Sequence, residues 1–301
     1  VHKAVHLWSA YPRAFSTAEN ERGRSRRFYS LHEVTPYGIH IFISSSHVNP
    51  VEAVLHSYAQ AKGFKSGVYD VMYTAGSYLQ GSIPEIDALS AQTIKPWDAR
   101  KSGGMAVLNK AVSKRLNGII LAHTASSVQF QLYLRKKPKI GPDGVISLKG
   151  FKMRSVPIYD GFLKTLGATT MTVHVPEIYE ALQRGVVDGF PFPNLWTRKF
   201  KWNKFVTHTV HPSFYQIEAC SFISNKALGK LSPEGRKIML KVGEDWERKS
   251  AAIWAPLVAK EREIYKKGGA KEIVMSGAAA NKYISLANGT PVSRLKKTQF
   301  T

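Results

Sequence analysis

The chain has 301 residues, 44% of them hydrophobic, enough for two compact domains, and no run approaches the roughly 20 apolar residues of a membrane span. Lysine and arginine outnumber aspartate and glutamate 43 to 21, a formal charge of +22, which raises a nucleic-acid partner as a rival reading and leaves few carboxylates for general acid–base work. Cys220 is the sole cysteine, so an internal disulfide and a thiolate metal cluster are both excluded, and its mixed neighbourhood fits core packing.

In chain order, the opening VHKAVHLWSAYP reads as a β-strand with no apolar signal core, as expected of a processed mature chain. Val51, Val54, Leu55 and Tyr58 recur at helical spacing over residues 51–62, and a glycine-bearing turn leads to a buried strand at 68–73. A short strand at 151–154 ends on Arg154. Ser155, Val156 and Pro157 then open a helix carrying Phe162, Leu163 and Leu166, which Gly167 stops. Residues 171–175 are β-branched and apolar. Pro176 and Glu177 suit the first turn of a helix whose face is Ile178, Ala181 and Leu182, and a strand resumes at 186–188 after Gly185. Strands alternating with short helices imply parallel βαβ units with ligands at the carboxyl ends of the strands, here the loop after Arg154.

The first half repeats this logic, which implies two similar lobes with parallel-rich sheets, joined by crossings near 121–124 and 206–210. Ser232 caps a helix with Pro233 and Glu234 in its first turn, and the pattern runs through Ile238, Leu240, Trp246 and Ile253 to Lys267, where Gly268 and Gly269 end it. Thirty-five helical residues would span roughly 50 Å, more than one small domain. Pro256 lies inside, so a kink or break is expected there.

The run Lys152-Met-Arg-Ser-Val-Pro, then Leu166-Gly-Ala-Thr, then Glu177-Ile-Tyr-Glu-Ala-Leu-Gln-Arg-Gly-Val-Val-Asp-Gly and a proline resembles the signature of the solute-binding proteins of tripartite ATP-independent periplasmic (TRAP) transporters. Tyr69-Asp-Val-Met-Tyr-Thr-Ala-Gly-Ser-Tyr-Leu resembles the family's first-domain strand and loop, and Ser224-Asn-Lys-Ala-Leu with Leu231-Ser-Pro-Glu its entry to the long helix. The resemblance implies a two-lobed α/β periplasmic-binding-protein-like fold with a long helix spanning both lobes. One lobe is expected at 1–123 plus 207–250, the other at 124–206 plus 251–301. It further implies a monomeric periplasmic receptor that binds a small organic acid, closes over it and hands it to the membrane permease subunits, with no cofactor or metal and no nucleic acid.

An arginine fork matches a carboxylate with two parallel charge-assisted hydrogen bonds. On the residues alone, an arginine beside a strand is more often a surface or salt-bridge residue; the resemblance gives Arg154 the solute's carboxylate. Two positions depart from the family pattern. Gln131 stands where many members carry a second arginine, and Phe192 where many carry an asparagine before the proline. Phe192 either packs in the hinge or lines the cleft, and in the second case Trp196, Tyr215 and Trp8 are its companions and the solute has an apolar or aromatic body. Further cleft candidates are Tyr73 and Thr74, with Ala75 and Gly76, Ser9 and Tyr11 beside Trp8, and Asn194.

Enzyme signatures are absent: there is no G-x-S-x-G elbow, P-loop, G-x-G-x-x-G, H-E-x-x-H or paired-cysteine spacing. His208 and His211 would face opposite sides of a strand and cannot share a ligand. Two rival readings stay open, an enzyme acting on an anionic substrate on the same scaffold and a basic nucleic-acid-binding protein.

Overall fold

A computed structural model describes residues 33–34, 40–43 and 60–298. The expected strand at the amino terminus, residues 51–59 of the helix expected at 51–62, and Trp8, Ser9 and Tyr11 lie outside the described residues.

Two mixed sheets organise the chain. The first has strand order β1-β2-β3-β12-β4, with β1 at Glu33–Val34, β2 at His40–Ile43, β3 at Val71–Ala75, β4 at Gly118–Thr124 and β12 at Ala219–Ser224. The second runs β13-β11-β5-β10-β8-β9, formed by β5 Gln129–Leu134, β8 Lys152–Ser155, β9 Thr169–Thr172, β10 Gly189–Pro193, β11 His208–Gln216 and β13 Lys271–Val274. A small hairpin, β6 Lys139–Ile140 with β7 Ile146–Ser147, projects beside it.

Neither sheet is as parallel as the βαβ reading implies. In the first, β12 runs antiparallel to both β3 and β4; in the second, β5 runs antiparallel to both β10 and β11. The reason is connectivity: β5 and β12 each enter directly from a strand of the other sheet. The crossings are residues 125–128 and 217–218, beyond the two expected segments. β11 therefore belongs to the second sheet, which corrects the assignment of residues 207–216 to the first lobe. Boundaries slip elsewhere too. The strand expected at 68–73 starts at Val71, because Val68 stands 60% exposed in a turn. The strand expected at 186–188 is β10, a few residues later.

β10 places Pro191 and Pro193 inside a sheet, where a missing N–H usually breaks a ladder. Here β8 pairs with β10 only at Gly189, so beyond that point no neighbour on that side needs the amide. The free carbonyl of Pro191 accepts instead from the Tyr159 hydroxyl at 3.3 Å.

Helices cover both sheets. The first sheet buries Met72, Ile120, Cys220 and Phe222 against α1 Asp87–Ala91, which supplies Leu89, and α3 Gly104–Leu116, which supplies Met105, Leu108 and Val112; α2, Pro96–Lys101, packs beside them. On one face of the second sheet α4 Pro157–Thr165 and α8 Gly277–Lys297 bury Phe162, Leu163, Tyr283 and Ala287 against Leu132, Met153 and Phe214. On its other face α5 Ile178–Gln183 adds Ile178 and Leu182 to an aromatic cluster of Tyr133, Phe190 and Trp202. Ser224 caps the short α6, Asn225–Lys230, through the Ala227 amide at 3.0 Å.

The long helix α7, Pro233–Lys267, begins as the sequence implies, with the Ser232 hydroxyl accepting from the Gly235 amide at 3.1 Å. Pro256 does not break it. That residue is exposed, so the carbonyl it leaves without a helical partner faces water. The amino-terminal half lies on β4 so closely that a Cβ at Gly243 would meet the Leu121 carbonyl oxygen at 2.4 Å. The carboxy-terminal half reaches the second sheet's unit, where Glu261 takes Arg198 at 3.0 Å and Tyr265 donates to Thr197 at 2.6 Å. One helix thus underlies both sheets.

Candidate site at Arg154

Arg154 is the third residue of β8, and the strand's alternation puts Met153 into the core shared with α4 and turns Arg154 to the opposite face. Its Nε donates to the carbonyl of Val173, just past β9, at 2.9 Å. A terminal nitrogen donates to the hydroxyl of Tyr159, which is itself anchored on Pro191. The guanidinium is therefore held by the chain just past β9 and by α4, whose Tyr159 is anchored in turn on β10.

Its electrostatic setting differs from that of five more exposed arginines. Arg100, Arg115, Arg198, Arg262 and Arg294 each meet a carboxylate, Glu247, Glu85, Glu261, Glu272 and Asp87, at 2.5 to 3.0 Å. Arg154 is only 4% exposed, yet no carboxylate of the described residues lies within ion-pair distance of it. A buried charge with hydrogen bonds but no counter-charge is costly unless an anion completes it.

The other expected residues fall into three groups. Gln131 and Phe192 face each other across the β5–β10 ladder, one strand beyond Arg154. The Gln131 amide turns towards β11, donating to the Val210 carbonyl at 3.3 Å and lying 2.9 Å from His211 Nε2. Phe192 packs edge-on to Trp202 at 4.8 Å and Phe200 at 6.0 Å, so its ring is part of the aromatic cluster. Asn194 ties the second sheet's strand ends together: its Oδ1 accepts from the Gln129 amide at 3.1 Å and its Nδ2 donates to Ser213 at 3.5 Å. At the end of the first sheet, the Tyr73 hydroxyl lies 3.2 Å from Thr124 Oγ1, and Thr74 is buried beside it.

Two further aromatics have packing partners in α7 and α8. Tyr215 is buried under α8, donating to the Ala287 carbonyl at 2.6 Å, and belongs to the core. Trp196 packs edge-on against Trp254 of α7 at 5.5 Å. Conversely, Tyr159 was not singled out by its sequence context, although the spacing Arg154 to Tyr159 across a strand-to-helix turn is the available signal.

One buried and one half-buried histidine set a pH limit. Burial lowers the pKa of His123 to about 4, aided by the Arg100 charge and opposed by its bond to the Ile217 carbonyl. Burial likewise lowers His211 to about 4, and the Arg262 charge adds to this more than Glu272 offsets it. As both pKa values lie below the ordinary 6.5, the unfolded chain binds more protons between about pH 6.5 and 4, and stability falls as pH falls through that window. At roughly 1.4 kcal/mol per pH unit for each group, urea unfolding at pH 7 and pH 4.5 should differ by several kcal/mol. Equal midpoints would show that neither histidine is held neutral.

The two sheets, the paired crossings and the helix beneath both define the two-lobed class of solute-binding proteins. Residues 54–283 match the family model described as bacterial extracellular solute-binding protein, family 7, and the chain belongs to that family. It is 24% identical over 262 residues to a solute-binding protein of Albidiferax ferrireducens, covering 81% of this chain and 73% of that one. A second match, 30% identical over 98 residues, is to the C4-dicarboxylate-binding periplasmic protein DctP of Rhodobacter capsulatus, and covers 32% of this chain and 28% of that protein. Among solved structures, a TRAP periplasmic solute-binding protein of Desulfovibrio desulfuricans with bound sn-glycerol-3-phosphate superposes with TM-score 0.67 at 17% identity over 80% of this chain and 78% of its own. One from Desulfovibrio salexigens with bound orotic acid gives 0.66 at 18% over 85% and 81%, and one from Rhodoferax ferrireducens with bound malonate gives 0.62 at 18% over 81% and 84%. Structural likeness at these identities establishes the fold.

Proposed function

We propose that this protein is a periplasmic receptor that captures a small organic anion between its lobes, with the Arg154 guanidinium taking the carboxylate, and delivers it to the membrane permease of a TRAP transporter. The observation that carries this reading is the buried Arg154, held by Val173 and Tyr159, with no carboxylate of the described residues in ion-pair distance, whereas the five more exposed arginines named above each have one. Its remaining donors have the planar geometry that a carboxylate matches. The three structural neighbours hold orotic acid, malonate and sn-glycerol-3-phosphate, all anions, which agrees with a cationic anchor.

Gln131 replaces a second fixed charge by an amide engaged with β11, so a single ion pair is the design here, and a monoanionic headgroup is enough to satisfy it. The Phe192 side of β10 adds an aromatic wall, which favours a solute with an apolar body. Closure of the lobes would be driven by contacts that exist only when both touch the solute. In a thermal-shift screen of carboxylic acids, one compound class should raise the melting temperature, and mass spectrometry should recover it unchanged. A hit converted to product would overturn the receptor reading, as would a screen in which only nucleic acid stabilises the protein.

A further inference from the structure

A row of positive charge lines one end of the second sheet. Across the strands the register runs Lys271 to His208, His208 to Leu134, Leu134 to Gly189 and Gly189 to Met153. Five strands therefore end on one line, roughly 20 Å wide. Lys271 begins β13 on that line, Arg135, Lys136 and Lys137 follow Leu134, and Lys152 precedes Met153. Lys139, on the β6–β7 hairpin, follows two residues after Lys137. Among the described residues Asp188 is the carboxylate that answers it, 3.0 Å from Lys136 and accepting from the Lys152 amide at 2.9 Å. Charges on α7, by contrast, are interleaved with acids, as in Lys241 with Asp245 and Lys266 with Glu263. The row is felt locally: after burial, the Lys271 and Lys137 charges are what lower the pKa of His208.

Two bare aliphatic side chains share this rim. Ile140, next to Lys139, is 50% exposed, and Val186, by the Val187 carbonyl to which Arg135 donates, is 41% exposed. We propose that this rim is a peripheral docking surface for an anionic phospholipid bilayer, with the cations among the headgroups and Ile140 and Val186 entering the interface. Five of the six cations are lysines, hydrated point charges that suit a diffuse anionic field better than the matched forks of an acidic protein patch. The rim lies at the strand ends remote from both crossings, so a docked molecule keeps its interlobe side free.

Vesicle co-sedimentation tests this with the intact protein. Binding to phosphatidylcholine vesicles containing phosphatidylglycerol should exceed binding to phosphatidylcholine alone by at least about tenfold at low salt and vanish at high salt. The triple variant Lys137→Glu, Lys139→Glu, Lys271→Glu should lose that binding. A control triple on α7, Lys237→Glu, Lys249→Glu, Lys260→Glu, changes net charge identically and should keep most of it; all six lysines are exposed and none pairs with a carboxylate of the described residues, so both variants should fold. Equal losses in the two triples would reduce the effect to net charge and overturn the assignment. So would binding to poly-glutamate without binding to the anionic vesicles, which would give the rim to an acidic polypeptide.

Discussion

Arg154→Ala is expected to weaken anion binding between tenfold and a hundredfold, measured by calorimetry with the acid that scores in the thermal-shift screen. Hydrogen bonds to a charged group contribute about 1.5 to 3 kcal/mol, and about 1.4 kcal/mol is one decade of affinity. Arg154→Lys should also bind poorly, because the charge is kept while the fork that Val173 and Tyr159 hold in place is lost. The variant needs its own melting curve, since the side chain also bridges β8 to β9 and α4. An Arg154→Ala protein that folds and binds with unchanged affinity would move the site elsewhere.

The largest stability effect should come from Glu247. Its side chain is fully buried on α7, where it receives Arg100 at 2.9 Å through two nitrogens and the His123 amide at 2.8 Å. Glu247→Ala leaves a guanidinium and a backbone N–H without their acceptor, and breaking a buried pair in this way costs about 3 to 5 kcal/mol. The double change Arg100→Leu with Glu247→Leu should recover part of that loss, because the stranded charge goes too while the His123 amide stays unanswered. Urea unfolding of wild type, Glu247→Ala and the double variant compares the three stabilities. If the double variant were no more stable than Glu247→Ala, the ion pair would not be what clamps α7 to β4.

Much of this was legible in the residues because it depends on local chemistry. The caps Ser232 and Ser224, the first-turn Pro233 and the stop at Gly167, whose φ is +90°, act over one helical turn and can be read from a few letters. Arg154 stands out for the same reason: a strand end followed by Ser-Val-Pro fixes its place. What escaped depends on distant partners. Tyr215 looks like a free aromatic until α8, some 70 residues later, supplies the Ala287 carbonyl. The second crossing was set too early because β11 reads as one strand whichever sheet it joins, and only its pairing with β5 and β13 decides. Phe190-Pro-Phe-Pro reads as a poor central strand, and becomes a tolerable one only because β8 stops short beside it.

The exchange of strands between the sheets has a consequence for biogenesis. β12 sits between β3 and β4 although nearly a hundred residues separate it from β4 in the chain, and the first sheet gains it only after every strand of the second but β13 has been made. A nascent chain cannot complete its amino-terminal half first and then add the other. Until residue 224 is available, the edges of β3 and β4 that β12 will occupy have no native partner, and pairing over such separations is slow and exposed to aggregation. Cutting the gene at the apparent lobe boundary should therefore give two insoluble pieces, and swapping whole lobes between relatives requires exchanging the returning strand as well.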